Sequence, residues 1–285
     1  MIRSNWRNFQ PHLVTLALLA PGLAAFVGLF AYPILITFIQ SLRPEGVADA
    51  WTLENYRAFL ADERSRQVII LTFQLAASAT LLSVVLSVPL ALILREKMAG
   101  HRFFRLLVLV PLVVPGLIGA LGLLLFYGNR GWFNLGVQLL PFVEGPVQIA
   151  FTVPGLMLFY VWLYFPYTCV TTLSSLEGLD RAVEEAGAVS GARPWHVFRF
   201  LILPQIIPGI LAGSVLTFMA AFGAFSVPLI AGGEYRPLAV QIYKEISVPI
   251  PAHWSAASAM AIVMGLLQAT SLTLYMRLLR RRPVN

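Results

Sequence analysis

Few residues of this chain sit where side chains could do chemistry, and most of those few fall in one polar stretch. Cys169 is the lone cysteine, and one sulfur makes neither an intramolecular disulfide nor a metal site. His12, His101, His196 and His253 are dispersed, with none of the spacings that hold a metal. Ser78, Ser83 and Ser87 share an apolar run with no base beside them, where small polar residues ordinarily pack helices together. A Gly-rich, Lys-bearing phosphate loop is not present either. What stands out is Glu184-Glu185-Ala186-Gly187-Ala188-Val189-Ser190-Gly191, followed by Leu201-Ile202-Leu203-Pro204. Carboxylates with no partner base do not describe catalysis. A polar, helix-forming segment between long apolar runs describes a surface helix, one that lies on the bilayer or meets a partner.

The elements that must position this segment follow from composition. Of 285 residues 58% are hydrophobic and only 12% charged, too few to cover a water-facing surface; soluble domains average about 25% charged. Crossing a bilayer takes roughly 20 mostly apolar residues. Six runs qualify: 13–39, 68–94, 106–127, 152–173, 205–230 and 255–276, none with an Asp, Glu, Lys, Arg or His. The sequence thus predicts an all-α integral membrane protein of about six transmembrane helices in one domain, 1–285. The first run exceeds a signal-peptide core and no small-residue cleavage site follows it, so it is expected to remain as a span, kinked at Pro21 and Pro33.

Orientation follows from Lys and Arg in the short loops. With the N-terminus inside, Arg3, Arg7, Arg95, Lys97, Arg102, Arg105, Arg181, Arg193, Arg199, Arg277, Arg280, Arg281 and Arg282 lie in the cytoplasm, thirteen in all. The other side receives seven: Arg43, Arg57, Arg64, Arg66, Arg130, Arg236 and Lys244. Both termini are therefore expected in the cytoplasm. The formal charge of +7 reads as topology and contact with anionic lipid headgroups. No basic stripe with interleaved aromatics points to nucleic acid.

Between the spans, the outside loop 41–67 is expected to hold a short helix beginning near Thr52. The inside loop 95–105 reads as a tight basic hairpin, and the outside stretch 128–151 gathers Trp132, Phe133, Leu135, Leu139 and Leu140 ahead of Pro141. Two accounts of that cluster stay open: a short helix at the membrane surface, or a packed cap. No internal repeat stands out.

The polar stretch 174–204 reads as an elbow. Asp180 can cap a helix by accepting a backbone N–H, with Glu184 and Glu185 in the next turn or so. Leu179, Val183, Ala186 and Gly187 share one side, where small residues permit close approach to another surface. Gly191 supplies a turn that a side chain would hinder. A second helix begins at Pro194, brings Trp195, Phe198 and Ile202 to one face, and is expected to end at Pro204, where the fifth span opens.

These residues carry a resemblance. The segment is similar to the cytoplasmic EAA loop of permease subunits in binding-protein-dependent ABC importers: Glu-Ala-Ala, three residues, Gly, nine residues, Ile, any residue, Leu-Pro. Glu185, Ala186, Gly191, Leu203 and Pro204 match with the spacing intact, while Gly187 stands for the second Ala and Leu201 for Ile. Leu19-Ala20-Pro21-Gly22 with Ala31-Tyr32-Pro33 resembles the opening of the first permease in many two-permease importers. Residues 222–233, Tyr243 and Trp254-Ser255-Ala256-Ala257 resemble the spermidine/putrescine, ferric-iron and phosphonate permease group. The resemblance implies a MetI-like fold, five core helices plus an added first helix, in a bacterial inner membrane. It implies two copies of a separate ATPase that uses ATP and Mg, a second permease (a different chain, less often a copy), an extracytoplasmic substrate-binding protein, and no cofactor or metal on this chain. Asp180, Val183, Glu184, Glu185, Ala186, Gly187, Gly191, Leu203 and Pro204 are then the expected ATPase-coupling residues.

The main rival is an ion-coupled carrier, which usually places ionisable groups within the bilayer; the six runs hold none, though backbone carbonyls could bind sodium. A membrane enzyme lacks any visible site. For the translocation path, Pro111, Pro115 and Gly116, with Phe222, Phe225, Ser226 and Pro228, combine helix breakers with aromatic or small residues. The cargo stays open among polyamines, phosphonates or related organic solutes, and ferric iron.

Overall fold

The computed structural model describes residues 6–47, 50–96, 100–248, 251 and 253–280, and every regular element among them is helical. Of the basic residues that set the orientation, Arg3, Lys97, Arg281 and Arg282 lie outside the described residues. In chain order the helices are α1 (Trp6–Phe26), α2 (Tyr32–Ser41), α3 (Glu54–Ala61), α4 (Glu63–Arg95), α5 (His101–Val113), α6 (Gly116–Tyr127) and α7 (Trp132–Val137). There follow α8 (Val153–Glu177), α9 (Arg181–Val189), α10 (Pro194–His196), α11 (Leu203–Phe222), α12 (Ser226–Ala231), α13 (Leu238–Ser247) and α14 (Trp254–Arg280). π-helical segments join α1 to α2 (Val27–Ala31) and α10 to α11 (Val197–Ile202).

Among the described residues five helices are long and apolar enough to cross a bilayer: Ala17–Ser41, Glu63–Arg95, Val153–Glu177, Pro194–Phe222 and Trp254–Arg277. A bent pair, His101–Val113 with Gly116–Val137, brings the number to six. The expected runs are recovered with different ends. The second extends back to Glu63 and includes Arg64 and Arg66; at 1.5 Å per residue its 33 residues are longer than a hydrocarbon core of about 30 Å requires. The third is not one rod: it breaks at Val114–Pro115 and turns through 107°. The fifth begins eleven residues earlier than expected, at Pro194. It also stops at Phe222 and resumes as α12.

The chain forms two compact units. In the smaller, Met1–Asp62 with Ile242–Val263, the loop after α2 is tied down by polar side chains. Asn55 donates to the carbonyls of Ser41 and Arg43 (2.9 and 2.8 Å). The Glu45 carboxylate accepts from the backbone N–H groups of Trp254 and Ser255, capping α14. The short helix expected near Thr52 begins at Glu54, whose N–H donates to Thr52 Oγ1 (3.0 Å).

In the larger unit, Glu63–Gln241 with Met264–Asn285, the centre is a three-helix packing of α4, α8 and α11. The buried stripe of α4 (Thr72, Ala76, Ala79, Ser83, Ser87, Ala91) recurs every three to four residues and is made of small side chains. Gly209 and Gly213 of α11 face α8 so closely that a Cβ at 209 would lie 2.8 Å from the Thr171 carbonyl oxygen. Without a hydrophobic drive between helices in lipid, such close approach and interhelical hydrogen bonds hold a bundle together. Thr168 and Thr217 share a bond of 2.8 Å, and Thr217 also donates to the Tyr164 carbonyl (3.2 Å). Cys169 is buried beside Leu94 and Val108 as a packing residue.

The stretch 128–151 contains α7, pinned by Asn134, whose amide donates to the carbonyls of Gly128 and Val147 and accepts from the Val147 N–H. Phe133 packs against Tyr127 with ring centroids 5.2 Å apart, while Trp132, Leu139 and Phe142 are exposed.

Candidate functional site

The polar stretch folds as a helix, a tight turn and a second helix. Asp180 caps α9, its Oδ1 accepting from the Ala182 N–H at 2.9 Å. At the other end Gly191 N–H donates to the Ala188 carbonyl and Ala192 N–H to that of Gly187, both near 3.0 Å. This is a Schellman ending, and Gly191 holds the left-handed position with φ +79°. A side chain there is strained, which is why the segment needs glycine at that distance from the helix start.

Beyond the turn, Pro194 opens α10 and the helix continues without interruption to Phe222. Pro204 therefore does not end it, as expected from its ring, but lies in its first α turn after the π segment. The Leu203 N–H donates to the Phe198 carbonyl, five residues back. The wider π turn shifts the register just before Pro204, which has no N–H to give. The same arrangement occurs at the first span, where Tyr32 donates to Val27 and Pro33 follows.

The elbow has an inner and an outer face. Val197 and Ile202 are buried against Ala91, Leu176 and Ile206, with Leu203 packed beside them. Trp195, Phe198 and Ile202 run from exposed to half-buried to buried. Gly187 faces inward: a Cβ there would lie 2.8 Å from Leu201 Cδ1 and 3.2 Å from Val197 Cγ2. The close approach foreseen for Gly187 is thus made within the chain. Glu184 also turns inward, to Arg95 of α4. The outer face carries Val183, Glu185, Ala186 and Val189, all exposed, and Pro204 is exposed as well. Val189 is 89% exposed, an apolar side chain projecting from a polar helix with nothing among the described residues to cover it.

The candidate path residues come together in part. α6 and α12 each begin after a break, and the breaks meet: a Cβ on Gly116 would lie 3.3 Å from Ser226 Oγ. Pro115 is exposed, and Phe225 and Ser226 are half-buried where α12 restarts. Pro111, Phe222 and Pro228 are buried instead; Phe222 packs edge-on against Phe73 with ring centroids 5.0 Å apart.

Sequence reasoning missed the partners of the elbow. Arg95 pairs with Glu184, Glu96 with Arg181, and Arg105 with Glu177. The signal was present: a basic hairpin, 95–105, on the same predicted side of the membrane as acidic residues 177–185.

Five or six helices apolar enough to cross a bilayer among the described residues, with a capped, glycine-turned elbow outside the apolar runs, define an all-α membrane component. Residues 83–284 match the family described as binding-protein-dependent transport system inner membrane component, and the chain belongs to that family. It is a MetI-like permease subunit of an ABC importer, a non-catalytic transport chain. It is 30% identical to the spermidine/putrescine transport system permease protein PotB of Escherichia coli over 228 residues, 80% of this chain and 82% of the relative. It is 32% identical to the molybdenum transport system permease protein ModB of Mycobacterium tuberculosis over 198 residues, 66% of this chain and 72% of the relative. Among solved structures, a bacterial ABC transporter involved in the import of the acidic polysaccharide alginate superposes with TM-score 0.83 at 17% identity, covering 99% of this chain and 100% of that one. The MetNI methionine ABC transporter in inward-facing form superposes with TM-score 0.58 at 15% identity, over 77% and 98%.

Proposed function

We propose that this chain forms part of the path for a small organic solute of the polyamine class and is driven by a separate ATPase docked on the elbow 181–203. The observation that carries the docking is the uncovered outer face of α9, where Val183, Ala186 and Val189 flank Glu185 on a helix braced from behind. The polyamine reading rests on the similarity to the spermidine/putrescine permease across 80% of the chain. Because the predicted runs carry no acidic residue, cargo selection falls largely to a substrate-binding protein outside. Two ATPase copies and a second, different permease complete the assembly, with ATP and Mg used by the ATPase and none held by this chain.

In this reading both termini, the loop 95–105 and the elbow lie in the cytoplasm, on the thirteen-to-seven excess of basic residues. On a Cys169→Ala background, an impermeant reagent added outside should label Ser247→Cys and not Ser190→Cys. Labelling of Ser190→Cys overturns the orientation.

Energy coupling is tested in proteoliposomes holding the full assembly. Spermidine uptake should require ATP inside and persist when proton and sodium gradients are collapsed. Uptake by this chain alone under an ion gradient favours the carrier reading instead.

A further inference from the structure

We propose that Arg95 and Glu184 form an internal strut that carries movement of α9 into α4, so that Glu184 is a positioning residue and not an ATPase contact. The proposal rests on the reading of the elbow as the docking site. Arg95 is the last residue of α4, and its side chain is 6% exposed. A guanidinium so buried needs a partner, and Glu184 is the one that the described residues give it. The next residue, Glu96, pairs with Arg181 at 3.5 Å, so the same two elements are bridged twice with the charges reversed. That second pair is more than half exposed on both sides, so it contributes little energy beside the first.

A third pair closes the ring. Arg105 of α5 meets Glu177, the last residue of α8, at 2.6 Å. The same guanidinium donates to the Leu94 carbonyl at 2.9 and 3.3 Å, satisfying an orphan acceptor at the end of α4. The ends of α4 and α8 and the starts of α5 and α9 are thus held by charge.

Two routes lead from α9 into the bundle. The backbone route runs through the Gly191 turn into α11. The strut is a separate and more direct route into α4. Further along α4, Phe73 sits edge-on to Phe222, the last residue of α11 before its break. Arg95 and Phe73 are therefore the two ends of one lever, about 33 Å apart at 1.5 Å per residue. Glu184 and Gly187 lie three residues apart on the inner face, so pairing and close packing seat α9 together and leave Glu185 outward.

The test uses the intact complex with its ATPase in proteoliposomes, on a Cys169→Ala background with Ser226→Cys as reporter. Three quantities are compared: co-purified ATPase, ATP hydrolysis, and the change in N-ethylmaleimide labelling of the reporter caused by ATP with vanadate. In Glu184→Gln and in Arg95→Gln the co-purified ATPase should hold, while the labelling change falls about tenfold, within the range of coupling between linked sites. The swap Arg95→Glu with Glu184→Arg should restore the change to within about threefold. A labelling change that survives both single substitutions overturns the proposal, as does a loss of ATPase in step with it, or a swap no better than the singles. Should the singles not accumulate in the membrane, the swap decides alone: it accumulates and responds, or the strut is wrong. Glu185→Lys separates this from the docking reading, because retention of ATPase by that variant contradicts docking while leaving the strut test readable.

Discussion

The two ends of α11 are built on opposite plans. At the elbow end Pro204 is absorbed by a π segment, and one helix runs from Pro194 to Phe222. At the far end the chain leaves the helix at Gly223, with no proline at the break itself, and restarts at Ser226 against the start of α6, which follows its own break at Pro115. A proline is therefore not what decides whether a span bends. In the proposed reading the continuous end is the one that would take up displacement from a docked ATPase, and the jointed end is the one that would border the path. The trunk between the two ends is rigid because Gly209 and Gly213 bring α11 against α8 with no space for a side chain.

Substitutions at the trunk, the far joint and the elbow probe this contrast in turn. The largest effect is expected at the trunk. In Gly213→Leu, the new Cβ alone would lie 2.5 Å from Thr168 Cα, and overpacking of this kind costs about 3 kcal/mol or more. The chain should lose thermal stability by fluorescence-detected size exclusion, and uptake with it. Unchanged melting would show that α8 and α11 are not locked.

At the far joint, Gly116→Val should separate stability from transport. Its Cβ contact with Ser226 at 3.3 Å is tight but not impossible, so the expected stability loss is about 1 kcal/mol. Uptake should fall further than stability, with ATPase association intact. Equal losses would make the joint simple packing.

At the elbow turn, Gly191→Ala forces a side chain into φ +79°, a strain of roughly 1–2 kcal/mol. ATPase co-purification should drop several-fold while the melting of the bundle barely moves. The smallest effect belongs to Pro204→Ala. Restoring an N–H permits ordinary α register, so stability should change by less than about 1 kcal/mol and uptake should stay near that of the parent. A large loss there would make the π segment a working part and not merely an accommodation of proline.

Much of this architecture is legible in the amino-acid sequence. Uncharged runs longer than 20 residues mark spans because lipid tolerates nothing else, and Asp180, Gly191 and Pro194 each have one strong local preference that the elbow uses. The limits are long-range. Glu63, Arg64 and Arg66 look like loop residues, yet they form the first turn of α4. Pro115 signals a weak point, but the bend of 107° depends on what α6 packs against. The break after Phe222 carries no proline, and Gly223 in an apolar run reads equally well as helix packing. Glu184 and Glu185 are indistinguishable as sequence neighbours; only the position of Arg95 sends one inward and leaves the other outward.

The contrast has meaning only if the outer face of α9 holds the ATPase. Co-purification of the ATPase with Glu185→Lys, Ala186→Trp and Gly191→Pro decides this, with the exposed Arg57→Ala in α3 as control. Each of the three should insert normally, lose most of the bound ATPase and lose uptake in proportion, since a hot contact in an interface is worth more than about 1 kcal/mol, and the control should match the parent. Parental levels of ATPase and uptake in all three elbow variants would contradict docking at this face and leave α9 a passive surface helix.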